Sequence, residues 1–473
     1  MSRSSFTTTA SGEGLARDCF LKTIRHQQSP TFMIGDDAIE IWKAGVAAVH
    51  GRTLVEASLR VEDNQLHVAD QSFDLSDFDR VLVVGGGKFS HFMAEGVEQV
   101  LGTKLATQKK LSGLITVPDD SNDQVVLQFV ESAQCRPAGI NLPTLRVLQA
   151  TDRMLDLLHG CDDRTLVFAL ISGGGSALLE KSSLPLEDLI AATTWLSTRG
   201  ADIIELNSVR IAMSDVKGGQ LAAAMPSGTM IGLIVSDVPG DDIRFVSSGP
   251  TVAFGDGVVS TARKVIAKFD ATVAAGFPKS VIDFLNANHS LLERPEASVS
   301  NHLIGNADDA LAAATAKAQS LGYELLPDIL TTSNTCEKIA ASVTEWQSET
   351  AERPQCVVSL GEPVVEPGEG AGQGGRNQHA VLESIRSLLQ QELANDFCFL
   401  SAGTDGEDGN TSVAGALVTR EMLGSLRSET ESIDNSLAAF DSHTFLAKHG
   451  LIFESGVTAT NVADLRVILR ATS

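Results

Sequence analysis

No apolar run in the sequence approaches the ~18 residues that a membrane-spanning helix needs. The longest candidates, Leu166–Ile171 and Met230–Val235, have the length of buried strands. The start of the chain lacks the apolar h-region of a secretory signal. The six cysteines, Cys19, Cys135, Cys161, Cys336, Cys356 and Cys398, form no C-x-x-C pair. That excludes a zinc ribbon or a thioredoxin motif, and their scatter is unlike a disulfide scaffold, so they read as reduced interior thiols. None of the ten histidines falls in H-E-x-x-H or H-x-x-x-H, so a zinc site is not expected. Internal repeats and low-complexity tails are missing as well. Basic residues are scarce, 36 against 60 acidic, for a formal net charge of −24. So acidic a body repels phosphate backbones and anionic membranes, which leaves neither nucleic acid nor a membrane as an expected partner. An anionic small substrate would need a local positive pocket.

What the chain does have is globular material. Its 473 residues are 43% hydrophobic and 20% charged, with mean hydropathy +0.07. That length suggests about two to four domains and excludes disorder over most of the chain. Arg3, Arg17 and several early Ser and Thr resemble a weak transit peptide, against which Glu13 and Asp18 argue. A cytoplasmic protein is expected, with the mitochondrion as the alternative.

Short apolar runs alternate with amphipathic segments. Val81–Val84 ends in Gly85, Gly86 and Gly87, and Leu166–Ile171 runs into Gly173, Gly174 and Gly175. Met230–Val235 is followed by Ser236 and Asp237, Gln355–Leu360 by Gly361 and Glu362, and Phe397–Ala402 by Gly403, Thr404 and Asp405. Each reads as a buried parallel strand. Leu145–Leu158 and Ala307–Leu321 read as helices, the second capped by Asn306 and stopped at Gly322. The alternation predicts an α/β chain with a largely parallel sheet. The pattern thins near Asn286–Ser300, which divides the chain into 10–290 and 300–473. Pro363–Arg376, rich in glycine and proline, reads as a connector or a loop around a ligand.

Ligands of open α/β sheets gather at the carboxyl ends of the strands, where these turns lie. Gly85-Gly-Gly-Lys88 is neither a Walker loop nor a dinucleotide fingerprint, because Leu82, Phe89 and Ser90 occupy required positions. Lys88 nevertheless sits at a helix start, where the dipole disfavours a cation unless an anion is near. Ser172-Gly-Gly-Gly-Ser176 looks like an anion loop, its hydroxyls adding to backbone N–H donors. The rival nucleophile elbow at Ser176 fails, because Leu178 stands where glycine is needed. Leu206–Gly219 reads as one helix ending at Gly218, with Asn207, Arg210, Ser214 and Lys217 on one face, a solvated face being the plain alternative. Asp237 and Asp241 could meet Mg²⁺ or simply form a turn. Arg376, at another helix start, again asks for an anion, and Thr404–Gly409 is a second acidic turn.

In this order the motifs resemble the type II glycerate kinases, built from a glycerate-kinase N-terminal region and a MOFRL domain. The matching runs are Gly85–Lys88, Ser172–Leu179, Leu206–Gly219, Ser236–Asp241, Ser248–Thr251, Gly374–Asn377, Gly403–Gly409 and Thr458–Asp464. Asn141-Leu-Pro resembles the animal branch. Many bacterial members carry His-Pro-Val-Pro nearby; Gln134-Cys-Arg-Pro137 stands in that region here, and no role is carried onto it. The resemblance implies a larger Rossmann-like domain with a mainly parallel sheet, a second α/β domain and an active site in the cleft between them. It implies phosphorylation of D-glycerate by ATP with Mg²⁺. Lys88, Arg376 and Asp405 would be catalytic. Gly86, Gly87, Ser172, Gly173, Gly174, Gly175, Ser176, Lys217 and Asn377 would hold the nucleotide, Asn207, Arg210 and Asp405 the glycerate, and Asp237 the metal. The 2-phosphorylated product is favoured over the 3-product, and a homodimer is compatible with this reading. Two alternatives stay open: a non-catalytic sugar-acid or nucleotide sensor, and a nicotinamide-dependent hydroxy-acid enzyme.

Overall fold

The computed structural model describes residues 30–472 except 120–124, 138–141, 256, 288–296, 331–334, 366, 367, 369, 394 and 457. The transit-peptide reading, Cys19 and Asn141 therefore lie outside the described residues. After helices Pro30–Ala48 and Gly51–Ser58 comes a small antiparallel meander: β1 (Leu59–Glu62), β2 (Gln65–Val68) and β3 (Gln71–Asp74). The first large sheet holds β4 (Arg80–Gly86), β5 (Ser112–Pro118), β6 (Val130–Arg136), β7 (Thr165–Ile171), β8 (Thr229–Val235) and β9 (Ser298–Gly305). All its pairings are parallel, in the order β6-β5-β4-β7-β8-β9. Chain order reverses between β4 and β7, as in doubly wound folds. The inner strands β4, β5, β7 and β8 are rich in Val, Ile and Leu and mostly buried, as both faces of a parallel sheet are covered, whereas the edge strands β6 and β9 are more polar and half-exposed. All seven residues of β7 are buried.

The second sheet holds β10 (Glu324–Leu325), β11 (Gln355–Leu360), β12 (Phe397–Gly403), β13 (Gly415–Thr419), β14 (Ile452–Phe453) and β15 (Asp464–Arg470), in the order β10-β11-β15-β12-β13-β14. The expected α/β class and two-part layout are what the structure shows. One detail is corrected: β11 and β12 are buried as expected, but neither has a parallel neighbour in the centre of this sheet. Both pair antiparallel with β15, which lies between them.

The two sheets are not consecutive blocks of chain. β9 closes the edge of the first sheet, beyond the boundary expected between 290 and 300. The Pro30–Ala48 helix packs instead on β12, β13 and β15 of the second sheet, with Ile34, Ala38, Ile41 and Trp42 in one cluster with Leu465, Val467 and Leu469. The Ala307–Ser320 helix, capped by Asn306 and Asp309 in a reciprocal box, packs against it. No helix among the described residues is long and apolar enough to cross a membrane.

Candidate active site

A cleft of about 760 Å³ is lined by residues from both sheets' ends. The first sheet contributes Lys88 after β4, Gly174 after β7, Asp237 after β8 and Arg136 at the end of β6. The second contributes Glu362 after β11, Arg376 and its preceding glycines, and Asp405, Glu407 and Asp408 after β12. The glycine turns after β4 and β7 stand at the reversal of strand order and hold each other: the Lys88 N–H donates to the Gly173 carbonyl at 2.9 Å.

Lys88 reaches across the cleft. Its Nζ lies 2.6 Å from Asp405 Oδ2 and 3.4 Å from Glu407 Oε2. Burial opposes its charge, but those two carboxylates outweigh it and hold the ammonium above its ordinary pKa. Arg376 is the first residue of the Arg376–Leu388 helix and makes a two-pronged pair with Asp464, at 2.5 and 3.0 Å, besides meeting Glu362 at 2.8 Å. The anion that this helix start calls for is supplied by the protein. Buried Asp408 accepts from the backbone N–H of Asn377 and Gln378 and from both side-chain amides. Burial nonetheless pushes its carboxyl up to about 6. Asp237 is likewise raised by burial, against the pull of Lys88. Glycine at 173 lets it in: a Cβ there would lie 2.5 Å from Asp237 Oδ2 and 2.7 Å from Asn461 Nδ2.

The structure thus brings together Lys88, Arg376, Asp405, Asp237 and Gly174. It separates others. Gly86, Gly87, Ser172, Gly173 and Gly175 are buried beneath the turns, leaving Gly174 as the loop residue on the cleft wall. Ser176 and Arg210 line a different, smaller cavity of about 50 Å³ beside Glu180. Buried Asn207 accepts from the Ser248 hydroxyl. The expected helix to Gly218 ends at Ala212, because Met213 to Gly219 turn back toward Ser248 and Gly249. Lys217 is therefore not on the Asn207–Arg210 face. It is fully buried, paired with Glu180 at 2.5 Å and donating to the Leu179 carbonyl, so the expected nucleotide contact does not fit its place. Asn377 is also buried, its amide between Asp408 and the Ser401 hydroxyl, under the cleft floor rather than on it. Asp241 is held by Asn306 at 2.6 Å, in a turn.

Sequence reasoning assigned no role to Arg136, Glu362, Glu407, Asp408 or Asp464. Asp464 and Asp408 stood inside quoted motifs, but their partners are distant in sequence. Arg136 stood in Gln134-Cys-Arg-Pro137, which departs from the motif found there in many family members, so no role was carried onto it.

Residues 37–286 match the family described as Domain of unknown function (DUF4147), and residues 355–464 match the MOFRL family. The chain is 32% identical to the human protein named glycerate kinase, over 92% of this chain and 93% of that one. It is 31% identical to the D-glycerate 2-kinase of Thermotoga maritima, over 82% and 90%. This chain belongs to the MOFRL-type glycerate kinase family. The crystal structure of a Thermotoga maritima glycerate kinase superposes with TM-score 0.74 at 28% identity, covering 93% of this chain and all of that one. Between the two motif regions of this glycerate kinase family member lies the cleft that Lys88 and Asp405 bridge.

Proposed function

We propose that the protein transfers the γ-phosphoryl group of ATP to a hydroxyl of D-glycerate in this cleft. The observation that carries the reading is the meeting of Lys88 and Arg376, from opposite sheets, around one space that Asp405 also lines. Family membership supports the acceptor. Phosphoryl transfer demands positioning and charge neutralisation more than covalent chemistry, and these residues offer both. The hydroxyl oxygen forms a bond to phosphorus as the bond to ADP breaks, and Asp405 accepts the hydroxyl proton. Lys88 would exchange its hold on Asp405 and Glu407 for the moving phosphoryl oxygens. Arg376, braced by Asp464, faces the same charge from the other wall. Gly174, with φ +78°, keeps the loop low so that its backbone approaches the phosphates.

The walls carry five carboxylates, Asp237, Glu362, Asp405, Glu407 and Asp408, against three cations, Lys88, Arg136 and Arg376. A polyanionic substrate entering there must bring counter-charge, and hard carboxylate oxygens suit Mg²⁺, which uses one or two of them. We assign Asp237 to it. Bound there, Mg²⁺ would neutralise phosphate oxygens. The name of the Thermotoga relative supports 2-phosphoglycerate as product.

The decisive assay is ADP release dependent on D-glycerate, with phosphorus NMR of the product. Glycerate-dependent change in nicotinamide absorbance without ADP would sink the kinase reading, and neither signal would favour a sensor.

A further inference from the structure

Arg136 is only 2% exposed, yet it lines the cleft. Its Nε has no hydrogen-bond partner, and no ion pair joins its guanidinium to a carboxylate among the described residues. Nη2 points past the turn after β7, 3.6 Å from where a Cβ on Gly174 would stand. The aim of the side chain is built into the sheet. The pairing of β5 with β6 slips by one residue between Val117–Gln134 and Pro118–Arg136, and such irregularities redirect the side chain that follows. The backbone there is pinned by the Asp119 N–H on the Arg136 carbonyl at 2.7 Å.

The other two cleft cations differ in this respect. Lys88 and Arg376 are each met by two carboxylates. A buried guanidinium without a counter-ion is costly, and burial depresses its pKa here despite Glu407 and Asp119 nearby. Such a group is expected where a ligand completes it. The glycine turns of β4 and β7 occupy the strand reversal, the phosphate position of this fold class. Arg136 enters from β6, two strands beyond β4, where the remaining charge of the reactant pair would lie. Its planar fork matches a carboxylate in two-pronged fashion. Resting on the kinase reading above, we propose that Arg136 receives the carboxylate of the acceptor and so selects a hydroxy acid over a neutral polyol.

The test compares wild type with Arg136→Met and Arg136→Lys. KM for D-glycerate should rise about 30-fold or more in Arg136→Met, the scale of truncating one partner of a buried charged pair, with KM for ATP within about twofold. Arg136→Lys should recover part of the loss. The preference for D-glycerate over glycerol should collapse with the charge. The melting temperature of unliganded Arg136→Met should equal or exceed that of wild type, since an unpaired buried charge is gone; a fall would mark a structural role and overturn the proposal. A rise in KM for ATP alone would put Arg136 on the phosphates and overturn it too. Calorimetry with D-glycerate and a non-hydrolysable ATP analogue separates the two readings. Wild type that binds D-glycerate but releases no ADP overturns the kinase and leaves the contact standing. Arg136→Met that binds it as wild type does overturns the contact alone, and wild type that never binds it overturns both.

Discussion

Lys88 and Arg376 differ in how firmly the fold holds them, and that difference should appear in variants. Lys88→Ala and Arg376→Ala should each lower kcat/KM by about 10²-fold or more, the scale of losing a preorganised charge contact. Lys88→Ala leaves Asp405 and Glu407 facing each other without a cation, whereas Arg376→Ala strands Asp464, which is 2% exposed. Arg376→Ala should therefore also lower the melting temperature, while Lys88→Ala should melt within a few degrees of wild type; near-normal turnover in either variant would remove it from the reaction. The two carboxylates give opposite signatures. Asp237→Asn should raise the Mg²⁺ requirement and regain activity with excess Mg²⁺ or Mn²⁺. Asp405→Asn should lose kcat with no rescue by metal. Titrating both variants against metal tells them apart, and two fully active proteins would return both residues to turn formers. Lys88, Arg376, Asp237 and Asp405 were legible in sequence because each follows a strand or starts a helix. Arg136 was not, since a one-residue slip between neighbouring strands leaves no trace in composition.

Among elements, the strands ending in glycine turns were readable because burial on both faces demands unbroken apolar runs. β15 was not read as a strand, because Asp464, Arg466 and Arg470 interrupt its apolar pattern. All three are buried and meet distant partners: Asp464 meets Arg376, Arg466 donates through Nη2 to the Gly361 carbonyl while its Nε stays unpartnered, and Arg470 meets Gln355 and the Trp346 carbonyl. Lys217 misled for a related reason, since a buried lysine with a carboxylate looks in sequence like one side of a helical stripe. The turn after β7 can be probed directly. Gly174→Val forces a branched side chain onto a positive φ and places its Cβ 3.0 Å from Lys88 Cγ. ADP affinity by calorimetry should fall more than glycerate affinity, and unchanged ADP binding would make the loop purely structural. The Arg376–Leu388 helix offers a pH test. Asp408 is held near 6, above its unfolded value, so its contribution to stability is complete in acid and is lost as pH rises through about 6. The difference in unfolding free energy between wild type and Asp408→Asn should accordingly shift against wild type from pH 4 to pH 7. A flat difference would mean that the four amide donors hold the carboxylate at its ordinary value.

On the scale of the whole molecule, the chain visits the second layer twice. The Pro30–Ala48 helix lies on β12, β13 and β15, the intervening chain builds the parallel sheet, and the rest returns to finish what the helix covers. Burying Trp42 and Ile41 alone is worth about 1.5–3 kcal/mol each. A fragment of residues 300–473 should consequently bind an apolar dye, and a peptide of residues 30–49 added in trans should suppress that binding. The order of synthesis makes the arrangement more pointed. Among the described residues, the earliest helix, Pro30–Ala48, has its docking site completed only by the last strand, Asp464–Arg470. Its apolar face must stay uncovered, or borrow other cover, until that strand is made more than four hundred residues later. Emergence of that strand, rather than completion of either stretch of chain by itself, is then the point at which the two halves can lock around their shared space.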